Sequence, residues 1–267
     1  MNETQIKTQK FIIKYFTEIM IKGTTAKRQM ISQVYNNLVN ILSKISKDIK
    51  VRKFFDKVEV VCPIEIVEEV RIRLLDTPGI QQILEAVQFD NMNTLDEIKV
   101  VVNETMAHAI QGKTFVVRCK RMGTQEFKST HVEQTVGGYM LAMNDTKGVA
   151  LKGAEYTINL ELEFAQLNII THKHMGMGGF PIGSQGSILS LMSGGFDSTV
   201  ASYLTMKRGI KTHFIFFNLG GIAHEIGVKQ VAYYLWSKFG SSHRVQFISI
   251  PFDDVVTEIF KSVSEPY

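Results

Sequence analysis

Ser193-Gly194-Gly195-Phe196-Asp197-Ser198 decides how this chain is read. The hexapeptide follows an apolar, strand-like run, Ile188-Leu189-Ser190-Leu191-Met192, and precedes a helix-like run from Thr199 to Arg208. A glycine-rich turn from strand into helix is a place for an anion. Backbone N–H groups converge there, small residues permit close approach, and the helix N-terminus adds partial positive charge. The GxxxxGK[ST] spacing and the lysine of a Walker A loop are absent. An ordinary turn with Asp197 or Ser198 as N-cap accounts for one polar residue, but not for all the small and hydroxyl-bearing positions.

Outward from the loop, the pattern alternates strand and helix. A strand is predicted over 212–217, a helix carries Ile222, Ile226, Val231, Tyr234, Leu235 and Phe239, a strand follows at 245–250, and a helix starts at Asp253. Alternation of this kind specifies a doubly wound parallel sheet, whose ligands sit at the carboxyl ends of the strands. The 193–198 loop and Phe216-Phe217-Asn218 both fall at such ends. Upstream, Met175 to Gly183 is dense in glycine and reads as a turn-rich linker, so this α/β unit is assigned residues 175–267.

Two further units precede it. Residues 1–90 read β-α-β-β-α-β, the ferredoxin-like order: strands at 11–15, 49–54, 58–62 and 80–89, and helices over 30–45 and from Pro63 to Leu75. Gly23-Thr24-Thr25 supplies a stop and an N-cap, and Asp56-Lys57 a turn. Residues 91–174 form the second unit. Thr94 caps a helix ending at Gly112, Thr114 to Cys119 is a strand, and an amphipathic stretch runs from Thr130 to Met143. Tyr156 to Glu163 alternates as a half-buried strand, with 167–172 as its hairpin partner. Lys113, Arg118, Lys120, Arg121 and Lys128 concentrate positive charge around one predicted loop of this otherwise acidic unit, which points to contact with a phosphate backbone.

Charge is uneven along the chain: net +7 over residues 1–60, −5 over 61–170 and +2 over 171–267. A basic N-terminal end suits a polyanion, or else a solvated face kept for solubility. At 267 residues and 45% apolar content the chain accommodates two or three domains with real cores. No apolar run reaches the ~18–20 residues of a membrane span, and Met1 to Lys10 lacks the apolar core of a secretory signal. Cys62 and Cys119 form neither a CxxC nor a Cys/His metal spacing, so no zinc site or disulfide framework is expected, and the reducing cytoplasm is the expected location. His172, His174, His213 and His224 have no third ligand spaced to join them and are expected to meet solvent or hydrogen-bond partners.

The SGGxDS pattern resembles the loop of the N-type ATP pyrophosphatases (PP-loop enzymes), which split ATP between the α and β phosphates to adenylate a substrate. Together with Gly176-Met177-Gly178-Gly179-Phe180-Pro181-Ile182-Gly183, Asn218-Leu219-Gly220-Gly221 and Ala223-His224-Glu225-Ile226-Gly227, it resembles the tRNA 4-thiouridine synthetase (ThiI) family over essentially the whole chain. The resemblance implies a ferredoxin-like unit, a THUMP RNA-binding module whose family limits reach back toward residue 62, and a truncated PP-loop α/β sheet. It implies ATP-dependent adenylation of the uridine at position 8 of tRNA, followed by sulfur transfer, with a further link to thiamine thiazole synthesis. Ser193, Gly194, Gly195 and Ser198 would cradle pyrophosphate, and Asp197 would be the key acidic residue, acting through Mg²⁺. Leu191 and Met192 would lend backbone around the nucleotide, and Phe216 and Phe217 a wall for adenine, one of the two turning to the core because side chains alternate. The implied partners are tRNA, a cysteine desulfurase as sulfur donor and a thiamine sulfur-carrier protein; a homodimer is left open.

One departure stands against this pattern. The family's persulfide cysteine lies in the later part of the pyrophosphatase domain, and neither Cys62 nor Cys119 maps onto it. The sequence is therefore expected to be the N-terminal portion of a longer enzyme. Another PP-loop tRNA-modifying synthetase and a non-catalytic tRNA-binding fragment remain the alternatives.

Overall fold

The computed structural model of the chain describes residues 8–219 and 221–263; Gly220 and both chain ends, Tyr267 included, lie outside the described residues. The chain divides into two compact units. One joins the residues up to Ile12 with Leu84–His174, and the other joins Ile13–Ile83 with the residues from Met175 onward.

The N-terminal segment runs β1 (Thr8–Tyr15), α1 (Thr17–Met20), α2 (Thr24–Leu42), β2 (Lys50–Lys53), β3 (Lys57–Pro63), α3 (Val67–Leu75) and β4 (Ile80–Phe89). Its strand order, β2-β3-β1-β4, is ferredoxin-like. The apolar stripe of α2 is buried at Met30, Ile31, Val34, Leu38, Ile41 and Leu42, as its helical spacing requires. Its N-cap falls within the expected Gly23-Thr24-Thr25, at Gly23, and no side chain caps the helix. The turn expected at Asp56-Lys57 is displaced, because β3 already begins at Lys57.

The middle segment contains α4 (Leu95–Ile110), β5 (Thr114–Met122), α5 (Ser129–Met143), β6 (Gly148–Val149), β7 (Tyr156–Glu163) and β8 (Gln166–Gly178). Thr94 and Glu97 form a reciprocal capping box that starts α4. Strand β5 runs parallel to β7, from Phe115↔Tyr156 to Met122↔Glu163, and β7 pairs antiparallel with β8. Inward residues of α4, α5, β5, β7 and β8 meet in one core that includes Val102, Met106, Phe115, Val136 and Leu160. Each such fully buried side chain contributes about 1.5–3 kcal/mol.

Two strands run three or more residues past their predicted C-terminal ends. Strand β8 continues to Gly178, through residues read above as linker. Glycine density there serves close approach rather than turning: a Cβ on Gly176 would sit 2.4 Å from the Ile80 carbonyl oxygen. Strand β5 continues to Met122, so Lys120 and Arg121 are strand residues and not part of a loop.

The last segment comprises β9 (Ser187–Leu191), α6 (Phe196–Lys207), β10 (Lys211–Asn218), α7 (Gly221–Leu235, extended by a π-helical turn to Gly240), β11 (Phe247–Pro251) and α8 (Asp253–Ser262). The three strands are parallel in the order β11-β10-β9. Phe214 and Phe216 alternate into a core with Met192, Met206, Val228, Ala232 and Leu235. Leu189, Leu191 and Ile248, on the other face, are exposed.

Within this same compact unit, α2, the turn that follows it and α3 grip the α/β segment through its backbone. Asn37 Nδ2 donates to the Ile182 carbonyl (3.0 Å), Asn40 Nδ2 to Ser242 (3.3 Å), Lys44 Nζ to Ser241 (2.6 Å) and Arg73 Nη1 to Ser237 (2.7 Å).

Candidate nucleotide site

The 193–198 segment sits where β9 leaves the sheet. Met192 N donates to the Ile215 carbonyl (2.8 Å), which keeps the strand in register with β10 to its last residue. Helix α6 begins at Phe196, three residues earlier than its apolar spacing suggested, so Asp197 and Ser198 lie in its first turn. The N-cap is Gly195 rather than Asp197 or Ser198, and no side chain caps it. The first-turn N–H groups of a 12-residue helix are thus left to face an incoming anion.

Hydroxyls brace the turn from within. Ser193 Oγ and Ser198 Oγ are 3.1 Å apart, Ser193 N donates to Ser198 Oγ (3.2 Å), and Gly195 N donates to Ser193 Oγ (3.4 Å). Thr199 Oγ1 donates to the Gly195 carbonyl at 2.8 Å. Gly194 takes φ +82°, and a Cβ there would lie 3.1 Å from Val228 Cγ2, so both backbone and neighbour favour glycine. A groove of about 430 Å³ opens beside the loop, lined by Gly194, Gly195, Phe196, Thr199, Gln230 and Tyr234. Asp197 is exposed. A single carboxylate at this turn is the kind of protein ligand Mg²⁺ takes, with phosphate oxygens and water completing its shell.

The two phenylalanines divide. Phe216 is in the core at 2% exposure, its ring edge-on to His224 at 5.0 Å, while Phe217 is 36% exposed and packs on Phe252. Leu191 is exposed and Met192 buried, so only their backbones reach the loop side together.

A polar network unmarked in the sequence closes the carboxyl edge of the sheet. Asn218, the last residue of β10, donates from Nδ2 to Glu225 Oε2 (3.1 Å), and Glu225 is ion-paired with Lys229. Hydrogen bonds from Lys229 and Ser249, together with the Lys229 charge and Asn218, hold the Glu225 carboxyl below the usual carboxylate range. His224 Nε2 lies 3.4 Å from the Ser193 carbonyl. Asn218 and Glu225 are seven residues apart on two elements, and no local pattern announces that they meet.

In the middle segment, the five basic residues do not form one cluster. Lys113 precedes β5, donates to the Ala109 carbonyl and lies over the Tyr156 ring, whereas Lys128 sits at the N-cap of α5. Arg118 and Lys120 are exposed on one face of β5. Arg118 donates to the Leu151 carbonyl (2.9 Å) and lies 3.7 Å from Glu133. Arg121 is turned into the Gly123–Gln125 turn by bonds of 3.0 and 2.9 Å.

A parallel sheet whose first strand passes through a Ser-Gly-Gly turn into an uncapped helix, behind a ferredoxin-like segment and an α+β module, defines a multidomain α/β protein of the PP-loop type. Family models agree in chain order: a ThiI ferredoxin-like domain over residues 10–83, a THUMP domain over 92–170 and the thiamine biosynthesis protein (ThiI) domain over 183–267. The chain belongs to the ThiI family. It is 47% identical over 260 residues to a tRNA sulfurtransferase of Psychromonas ingrahamii and 44% identical over 260 residues to one of Shewanella sediminis, in each case matching 95% of this chain. The chain spans about half the length of these curated relatives, 53% of each. Among solved structures, a 4-thiouridine synthetase–RNA complex with bound ATP superposes with a TM-score of 0.80 at 20% identity, over 97% of this chain and 66% of that one. PH1313 from Pyrococcus horikoshii gives 0.77 at 20% identity, over 95% and 82%. These two likenesses establish the fold. No helix among the described residues is long and apolar enough to cross a membrane.

Proposed function

We propose that this chain supplies the tRNA-binding and ATP-binding portion of a tRNA sulfurtransferase, which uses ATP to adenylate uridine 8 before sulfur replaces its oxygen. The observation that carries the proposal is the match to tRNA sulfurtransferases over 95% of the chain, together with the geometry of the Ser193–Ser198 turn. Gly194, Gly195 and the first turn of α6 would hold the phosphates, and Asp197 would hold Mg²⁺, whose charge offsets that of the leaving pyrophosphate. The exposed Arg118 and Lys120 would meet RNA phosphates, while Arg121, braced within its own turn, would contribute less.

Sulfur delivery falls outside this set of residues. Cys62 is fully buried, and the Cys119 thiol is pushed up to about 12 by burial and by Glu133, with Arg121 opposing. Neither is a nucleophile at neutral pH. The persulfide carrier, loaded by a cysteine desulfurase, is placed elsewhere in the complete enzyme; service to a thiamine sulfur carrier and a homodimeric assembly belong to the same reading.

Two titrations on the purified chain test this. Unmodified tRNA should bind with a steep salt dependence, which Arg118→Ala with Lys120→Ala reduces by up to about two counterions. Asp197→Ala should weaken Mg·ATP binding and leave tRNA affinity unchanged. A tRNA affinity that collapses in Asp197→Ala would assign the loop to RNA instead.

A further inference from the structure

Asn218 holds an unspent acceptor at the carboxyl end of β10. The residue ends β10, next to the strand that feeds the 193–198 turn, and its own carbonyl receives the Phe252 N–H (3.1 Å). Its side-chain orientation follows from chemistry. Glu225 is an acceptor only, so the group facing it at 3.1 Å is the Asn218 amide nitrogen. Lys229, paired with Glu225, holds the carboxylate in place. Oδ1 is therefore turned the other way, and it is buried with no hydrogen-bond partner among the described residues. Buried carbonyls of this kind are seldom left unpaired, because the desolvation cost is not recovered.

We infer that Asn218 Oδ1 selects the nucleotide by accepting a hydrogen bond from its adenosine moiety. The inference rests on the nucleotide reading of the loop and deepens it. Phosphate oxygens are themselves acceptors and cannot satisfy Oδ1. The donors a nucleoside triphosphate offers at neutral pH are the exocyclic amine of adenine and the ribose hydroxyls. A 6-oxo purine places an acceptor where adenine has its amine, and would set two acceptors face to face.

Calorimetric titration of the intact chain with Mg·ATP, inosine triphosphate, 2′-deoxyATP and 3′-deoxyATP separates the two donor sources. The wild-type chain is expected to bind ATP about tenfold more tightly than inosine triphosphate if the amine is the donor. If a hydroxyl is the donor, a gap of about the same size opens against one deoxy analogue instead. Asn218→Leu, close in size and without the acceptor, should reduce that one gap to less than about twofold. Glu225→Gln frees the amide to turn over and should narrow it as well, with circular dichroism checking that both variants fold. Equal wild-type affinity for all four nucleotides would overturn the inference, leaving Oδ1 to water. A gap that persists in Asn218→Leu would overturn it too. A wild-type chain that binds none of them, ATP included, would refute the nucleotide reading itself and the inference with it.

Discussion

Replacing Gly194 by alanine tests whether the turn before α6 has its conformation in solution. Alanine at φ +82° carries a left-handed penalty of about 1–2 kcal/mol. The added methyl would stand 3.1 Å from Val228 Cγ2, and Val228 is only 1% exposed, so it recedes little. That crowding adds about 1 kcal/mol, for a total near 2–3 kcal/mol. Urea denaturation followed by the single tryptophan, Trp236, which packs against the same core, reads this directly. In a Val228→Ala background the methyl contact is gone, and Gly194→Ala should then cost only the dihedral part, about 1–2 kcal/mol. Gly195→Ala is the local control. Gly195 has φ −83°, and its added Cβ would meet nothing nearer than Ser193 Oγ at 3.6 Å, so the loss should not exceed about 1 kcal/mol. A Gly194→Ala cost below about 0.5 kcal/mol in both backgrounds would show that residue 194 does not hold a positive φ, and the argument for converging N–H groups would fail with it.

Two further outcomes follow from buried titratable groups. Burial and the nearby Lys211 hold the His243 imidazole below its ordinary 6.5, so the unfolded chain takes up that proton more readily than the folded one. Stability should be full above pH 6.5 and fall as pH drops below it; urea midpoints at pH 7.5 and 5.5 should differ, and His243→Gln should shrink the difference. An unchanged difference in that variant would remove His243 as the cause. Iodoacetamide at pH 8 should label neither Cys62 nor Cys119 in the folded chain and both in urea, since one is fully buried and the other has a thiol near 12. Rapid labelling of the native protein would contradict that burial.

Local signals were legible in the sequence. Tyr156–Glu163 alternates because one face is buried, and the strand has those bounds. Thr94 and Glu97 are three residues apart, the spacing a capping box needs, and the box forms. What failed depended on neighbours distant in sequence. Lys120 and Arg121 look like loop residues until Glu161 and Leu162 of β7 pair with them. Gly176 and Gly178 look like turns, yet they continue a strand whose backbone must pass close to Ile80. The start of α6 lies outside the apolar periodicity because its first residue, Phe196, is 90% exposed and adds nothing to a buried stripe. The five basic residues, close in number, are spread by an extended strand of nine residues. Asn218 is legible as the end of a strand, but its meeting with Glu225 is not, since that is set by how α7 packs on β10.

The bonds from Asn37, Asn40, Lys44 and Arg73 all end on main-chain oxygens. Every residue type offers that oxygen, so positions 182, 237, 241 and 242 can drift in side chain without loosening the grip. The burden of inheritance falls on the four donors and on the path of the backbone they hold. Among related chains this junction should survive as a shape, with one partner's letters kept and the other's free to change.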